Sequence, residues 1–326
     1  MHAELAGVSL MAGVALQVCQ VGVIGLLSPL LSGFIAMLDA RVQSRRGPSV
    51  VQPYRDLIKL ARKGMTVPQA ANWPYFAGPV IAVAAYLTVP LLIPVLTGFP
   101  LPLGTMGDVL GGAFLLTLAG VCVAVAATDS GGVYPGLGAS RAMTFGALAE
   151  PTLIFVFFTI ALLTSTDNPY VLNHSLQNTL GQEFRASHLL VCAAFFMMLL
   201  LETGRIPIES ASSTLEFGMI DDARTLEHSG PLFALLRWGS MLKQAILYVV
   251  FLNVLLVPWG VALSTSPWAV LLSLALLAAK AMVLALVMVA VGASFAKLRL
   301  FRITEFMGAG FVLSILAILV FYFGGS

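Results

Sequence analysis

Charged residues are scarce in this 326-residue chain: only 10% are Asp, Glu, Lys or Arg, where a soluble globular domain carries roughly a quarter. So few charges cannot cover a chain of this length with groups that water solvates, which excludes a water-soluble globular protein. A net charge of +2 gives no support to a nucleic-acid partner. Cysteine is scarce as well. Cys19, Cys122 and Cys192 lie far apart in apolar runs and form no CxxC pair, so neither a disulfide framework nor a cysteine-held cluster is readable. His2, His174, His188 and His228 are scattered without metal-ligand spacing, and no Walker loop, Rossmann fingerprint or GxSxG elbow occurs. No catalytic centre, metal site, internal repeat or linker is visible, and residues 1–326 read as a single polytopic membrane domain.

What the chain has in abundance is apolar length. Hydrophobic residues make up 59% and the mean hydropathy is +0.96, so lipid is the only outer solvent that fits. A helix crossing the hydrocarbon core needs roughly 20 apolar residues. Eight such segments are expected, at about 8–36, 76–97, 108–127, 143–164, 187–203, 240–261, 268–292 and 305–323. The expected fold is therefore an all-α membrane protein of about eight transmembrane helices, with amphipathic helices in its loops. His2 and Glu4 precede the first segment where a cleavable signal would carry basic residues, so that helix is expected to be retained.

Lysine and arginine set the orientation. Of these residues, fourteen fall in the odd-numbered loops and only Arg185 in the even ones. Basic loops stay on the cytoplasmic side, which places both termini outside and the cytoplasmic loops at about 39–75, 128–142, 204–239 and 293–304. The first loop reads as an amphipathic stretch around Tyr54, Leu57, Ile58 and Leu60 that lies at the interface. The loop at 204–239 is acidic.

Charges inside the apolar segments carry the most information, because each costs several kcal/mol unless paired or hydrated. Lys280 is central in the seventh segment and too deep to snorkel; it reads either as a proton-relay cation or as a buried structural pair. Glu150 precedes Pro151, which removes a backbone donor and loosens the helix; a carboxyl there is suited to proton exchange near neutral pH. Lys243 lies one turn into the sixth segment and could instead reach the cytoplasmic interface. Glu202 and Arg205 share a helical face and read most simply as an end-of-helix pair. Asp129 precedes the glycine-rich stretch Ser130–Gly138, which reads as a turn ahead of Arg141.

Taken in order, the loop residues resemble a known family. Asp39–Pro48 (DARVQSRRGP) and Gln52–Leu60 (QPYRDLIKL) resemble the first cytoplasmic loop of the membrane anchor subunits of formate hydrogenlyase and hydrogenase-4. Those subunits are related to the quinone-site membrane subunit of respiratory complex I. Asp129-Ser-Gly, Gly138–Arg141 (GASR), Glu150-Pro, Glu202–Pro207 (ETGRIP), Leu226–Pro231 (LEHSGP), Arg237–Gln244 (RWGSMLKQ) and Ala296–Leu300 (AKLRL) extend the resemblance over almost the whole chain. Gly204–Glu209 (GRIPIE) stands where complex I typically has NRAPFD, which favours the hydrogenase branch. The chain departs from the anchors at Ala142, where they usually carry an acid, and at Ser212 and Thr214, where many have carboxylates or a histidine. It has Glu209 where they have aspartate, and Glu216 matches.

The resemblance implies a subunit of the cell's inner (plasma) membrane that binds no cofactor itself. Iron–sulfur clusters and a nickel–iron centre would reside in peripheral hydrogenase-like large and small subunits. Antiporter-like membrane subunits would be further partners, moving protons or sodium. Glu150, Glu202, Lys243 and Lys280 are then expected on the ion path. Arg41, Arg45, Arg46, Arg55, Asp56, Asp129, Arg141, Arg205, Glu209 and Glu216 are expected at the docking surface. A quinone-binding subunit is a second reading within the superfamily, and would need a lipid-facing portal near the first loop. A stand-alone secondary transporter is a third; it predicts paired broken helices and inverted repeats, which the sequence does not display.

Overall fold

A computed structural model of the chain describes residues 10–180, 186–204, 221–294 and 302–324. Its helices are α1 (Leu10–Val42), α2 (Gln52–Ala61), α3 (Trp73–Leu92), α4 (Val109–Asp129), α5 (Val133–Thr164), α6 (Pro169–Leu180), α7 (Ala186–Glu202), α8 (Asp221–Thr225), α9 (Gly230–Val249), α10 (Pro267–Ser294) and α11 (Arg302–Gly324). No strand occurs among the described residues beyond one bridge between Thr97 and Ala262. Seven helices are long and apolar enough to cross a membrane: α1, α3, α4, α5, α9 with the turn that continues it to Leu256, α10 and α11. The remaining expected segment is α7. Its 17 described residues extend about 25 Å at 1.5 Å per residue.

Helix boundaries differ from expectation: α1 runs on to Val42 and α9 already begins at Gly230, outside the expected 8–36 and 240–261. The glycine-rich stretch after Asp129 opens α5 at Val133 instead of forming a loop. Pro135 is compatible with this because it falls in the first turn, whose N–H groups have no helical acceptor anyway. Glu150 consequently lies mid-helix. The amphipathic helix expected in the first loop is α2, which has no buried residue and runs along α1 and α9.

The spine is α9. Of its best membrane-spanning window 72% is buried, against 22–28% for α1, α10 and α11. It packs on α1 and α3; α3, α4 and α5 follow side by side, and α7 and α11 close against α5. Pro29 does not end α1. It lacks the N–H that would meet the Gly25 carbonyl, and that oxygen instead accepts from the indole Nε1 of Trp238 on α9 at 3.2 Å and from the Ser28 hydroxyl at 3.2 Å. A Cβ at Gly33 would run into the Val50 carbonyl, so glycine lets the first loop fold back onto α1.

Interrupted helices meet on the far side of α9. After α3 ends, residues 93–98 are non-helical; α9 passes into a π-helical turn, Val250–Leu256, and then unwinds. The two irregular segments pair, with Ala262 N donating to Leu96 O at 2.7 Å and Gly98 N donating to Ala262 O at 2.9 Å. Irregular backbone inside a membrane bundle requires side chains to meet its polar groups. Asn253 Nδ2 donates to Val95 O at 2.9 Å and Pro94 O at 3.2 Å, Tyr170 donates to Ile93 O at 3.1 Å, and Gln20 Oε1 accepts from Leu96 N at 2.9 Å. From α6, Asn173 and Gln177 donate to Pro258 O at 3.1 and 2.8 Å.

Lys280 completes this cluster. Its ammonium donates to Val257 O at 2.9 Å, to Asn253 Oδ1 at 3.2 Å and to Trp259 O. All three of its protons are thus engaged, and the charge lies where carbonyls at the end of α9 concentrate negative potential. Replacing Lys280 by Met strands three acceptors, at about 1–3 kcal/mol for each that water cannot reach. The expected outcome is less protein recovered in detergent and a lower thermal midpoint. Wild-type recovery and melting for Lys280→Met would contradict the capping role.

Candidate functional site

A cavity of about 300 Å³ runs between α4, α5, α7 and α9, with α8 beside it. Its lining on α5 extends from Ala142 to Leu153, about 16 Å along the helix, roughly half of a hydrocarbon core. Among the described residues, five ionisable side chains line it: Glu150 from α5, Glu202 from the end of α7, Asp221 and Arg224 from α8, and Lys243 from α9. The remaining wall is mostly apolar, with Thr117 and Gly120 of α4 among the exceptions. Pro151 offers no N–H to the carbonyl of Ala147, and Ala147 lines the same cavity.

Lys243 does not run out to the interface. Its ammonium forms an ion pair with Glu202 Oε2, and the two side chains are 24% and 19% exposed. The pair joins α7 to α9 across a space that would otherwise hold two unpartnered charges. Arg224 pairs with Asp221 one turn back on α8, and Arg237 of α9 holds Asp222 at 3.3 Å. Glu150 makes no hydrogen bond or ion pair among the described residues. Its side chain and that of Glu202 line the same cavity.

Beside the cavity, the ends of several helices are stitched into a platform. Asp129 Oδ2 accepts from Asn72 N at 2.7 Å and Tyr75 N at 3.1 Å, capping the first turn of α3. The Tyr75 hydroxyl donates to Glu227 O at 2.8 Å, and Ser229 exchanges hydrogen bonds with the backbone of Thr66 at 2.7 and 2.8 Å. Gly230 has φ of +55°, and a Cβ there would meet the carbonyls of Lys63 and Gly64 at 2.9 Å, so only glycine lets the start of α9 approach the first loop this closely. His228 is buried and stacks on Tyr75 with ring centroids 4.4 Å apart. Burial pushes its imidazole below the usual 6.5, with backbone groups of Tyr75 and Arg224 acting the other way.

The platform carries the basic residues of the first loop. Arg41, Arg45, Arg46, Arg55 and Asp56 are all exposed; Asp56 accepts from Gln52 Nε2 at 2.8 Å. Arg141 lies in the first part of α5, partly exposed. Arg205, Glu209 and Glu216 lie outside the described residues. The structure thus brings Glu150, Glu202 and Lys243 together and separates Lys280, which belongs to the cluster at the other end of α9. Asp221 and Arg224 also line the cavity but were readable in the sequence only as loop charges. No group of three or more His, Cys, Asp or Glu positioned to hold a metal occurs among the described residues.

The family described as NADH dehydrogenase matches residues 15–323. Formate hydrogenlyase subunit 4 of Escherichia coli (strain K12) is 31% identical over 291 residues, covering 89% of this chain and 92% of that one. Hydrogenase-4 component C of the same organism is 29% identical over 261 residues, covering 80% of this chain and 81% of that one. A solved structure of the membrane-bound sulfane sulfur reductase, an archaeal respiratory membrane complex, shares the fold. It has a TM-score of 0.77 at 21% identity, covering 95% of this chain and 98% of its counterpart.

Proposed function

Because the chain belongs to the NADH dehydrogenase family, we propose that it is the membrane anchor and coupling subunit of a complex I-like hydrogenase complex. In this reading a peripheral redox module of hydrogenase-like large and small subunits docks on the platform. The charged cavity links that module to proton or sodium translocation by antiporter-like membrane subunits. The observation that carries the reading is the cavity itself, which leads from exposed Asp221 to Glu150 in the middle of α5. A path of this kind needs a titratable group inside and charges that keep water with it; Glu150 and the Glu202–Lys243 pair supply both. The metals belong to partner subunits.

Glu150→Gln keeps the shape and removes the proton-exchanging group. In membranes with normal complex content, the variant is expected to lower ions moved per electron transferred by at least about 10-fold, a bound set below the typical 10²–10⁴-fold worth of a positioned acid or base. Unchanged coupling would remove Glu150 from the path.

The docking surface rests on the exposed arginines of the first loop, which face the same side as the start of α9. Both termini then lie outside, as the basic loops require. Reversing charge at Arg45, Arg46 and Glu216 is expected to release the peripheral module while this subunit stays inserted, and a cysteine at position 174 should label only from outside. Retention of an active module, or labelling from the cytoplasm, would overturn docking and orientation respectively.

One observation favours a quinone as a second ligand. A nearly apolar groove of about 230 Å³ lies between α1, α9 and α10, bordered by Val50 at the start of the amphipathic loop. A quinone co-extracted with the complex and displaced by Tyr248→Trp would support it, and extraction free of quinone would count against it.

A further inference from the structure

The apolar groove between α1, α9 and α10 has a charged end. Ile24, Leu27, Leu31 and Phe34 of α1 line it, and their spacing puts them on one helical face. Over that stretch the wall extends about 15 Å, the depth of one leaflet of a hydrocarbon core of about 30 Å. Arg41 follows Phe34 by two turns and stands above the groove on the same face. Its backbone lies about 10 Å beyond Phe34, from where the side chain reaches lipid headgroups. Arg41 is exposed, and its guanidinium makes no hydrogen bond or ion pair among the described residues.

The chain then turns back along α1. Ser44 takes a φ of +56°, Arg45 N donates to Ala40 O at 2.8 Å, and a Cβ at Gly47 would lie 3.1 Å from Met37. Arg45 and Arg46, both exposed, are therefore held beside the last turns of α1. Val50 returns to the level of Gly33 and borders the groove. Three arginines thus gather at one end of a channel whose described lining carries no charged side chain.

The two parts select differently. An acyl chain gains little on leaving the bilayer for this groove, because lipid tails are as apolar as leucine; the groove sets shape and length. The arginines set the head. A quinone's uncharged head leaves them without a counter-charge, whereas a phosphate accepts paired hydrogen bonds from a guanidinium, and basic pockets at the ends of membrane helices attract anionic headgroups. We propose that this groove and Arg41 form a binding site for one anionic phospholipid of the leaflet that borders the first loop. One acyl chain lies along Ile24 to Phe34, the phosphate meets Arg41, and Arg45 and Arg46 add to the positive field. Because α10 packs mainly on α1, the acyl chain also fills the space between α10 and the spine helix.

The test equilibrates the intact complex in mixed micelles of phosphatidylglycerol and phosphatidylcholine with matched acyl chains. Lipid retained per copy after gel filtration is read by mass spectrometry. An arginine near an anionic headgroup is worth about fivefold in affinity. Arg41→Gln is therefore expected to lower retention of phosphatidylglycerol by about fivefold and leave phosphatidylcholine unchanged. Arg41→Lys, which keeps the charge, should retain most of the preference. Ala278→Phe narrows the groove and should lower retention of both lipids with every charge in place. An Arg41 that only ends α1 would leave the ratio of the two lipids unmoved in Arg41→Gln and overturn the proposal. Wild-type lipid content in Ala278→Phe, or a retained quinone that phosphatidylglycerol does not displace, would overturn it as well. If Arg41→Gln does not assemble, the preference of the wild-type complex between the two lipids and the loss of lipid in Ala278→Phe decide it.

Discussion

Inside a lipid bilayer a polar group has no water to fall back on, and each one left without a partner costs several kcal/mol. That constraint shapes nearly every irregular feature of this protein. Pro29 frees a carbonyl in the middle of α1, and a tryptophan from α9 supplies its donor. The break after α3 and the unwinding after the π-helical turn bring bare backbone into the bundle, where Asn253, Tyr170, Gln20, Asn173, Gln177 and Lys280 meet it. The charges of the cavity obey the same rule by pairing across helices.

The two polar regions associated with α9 differ in kind. At the π-helical end, the ammonium of Lys280 is saturated by oxygen acceptors, which makes the cluster a brace. Toward the loop face the acids outnumber the cations among the described lining residues, and Glu150 has no partner there. An incompletely compensated cluster next to a cavity that can hold water is suited to exchanging a proton, whereas a saturated one is suited to holding backbone in place. One buried spine helix borders both, with Lys243 and Asn253 ten residues apart upon it.

Much of this was legible in advance, for identifiable reasons. Apolar runs of membrane length announce themselves whatever their neighbours, so the crossing helices fell near the expected positions; the short loop helix followed from its amphipathic pattern. Glu150, Lys243 and Lys280 stood out because a charge in an apolar run demands an explanation. Asp221 and Arg224 did not, since in a polar loop two more charges are unremarked. The uncharged polar residues of the brace carried no signal either: an isolated Asn or Gln in an apolar segment specifies a need for a partner without naming it.

By itself, then, the amino-acid sequence determined the solvent this protein must live in, the segments long and apolar enough to cross it and the positions where charge falls within them. These are properties of single residues and local runs, because transfer from water to lipid is priced residue by residue. Which charges meet was decided only by tertiary structure. Glu202 pairs with Lys243, 41 residues further along the chain, and the ammonium of Lys280 caps the unwound end of α9, neither of which sequence spacing shows. Partnership depends on which helix faces pack together, and that is set by the combined packing of all the helices around α9.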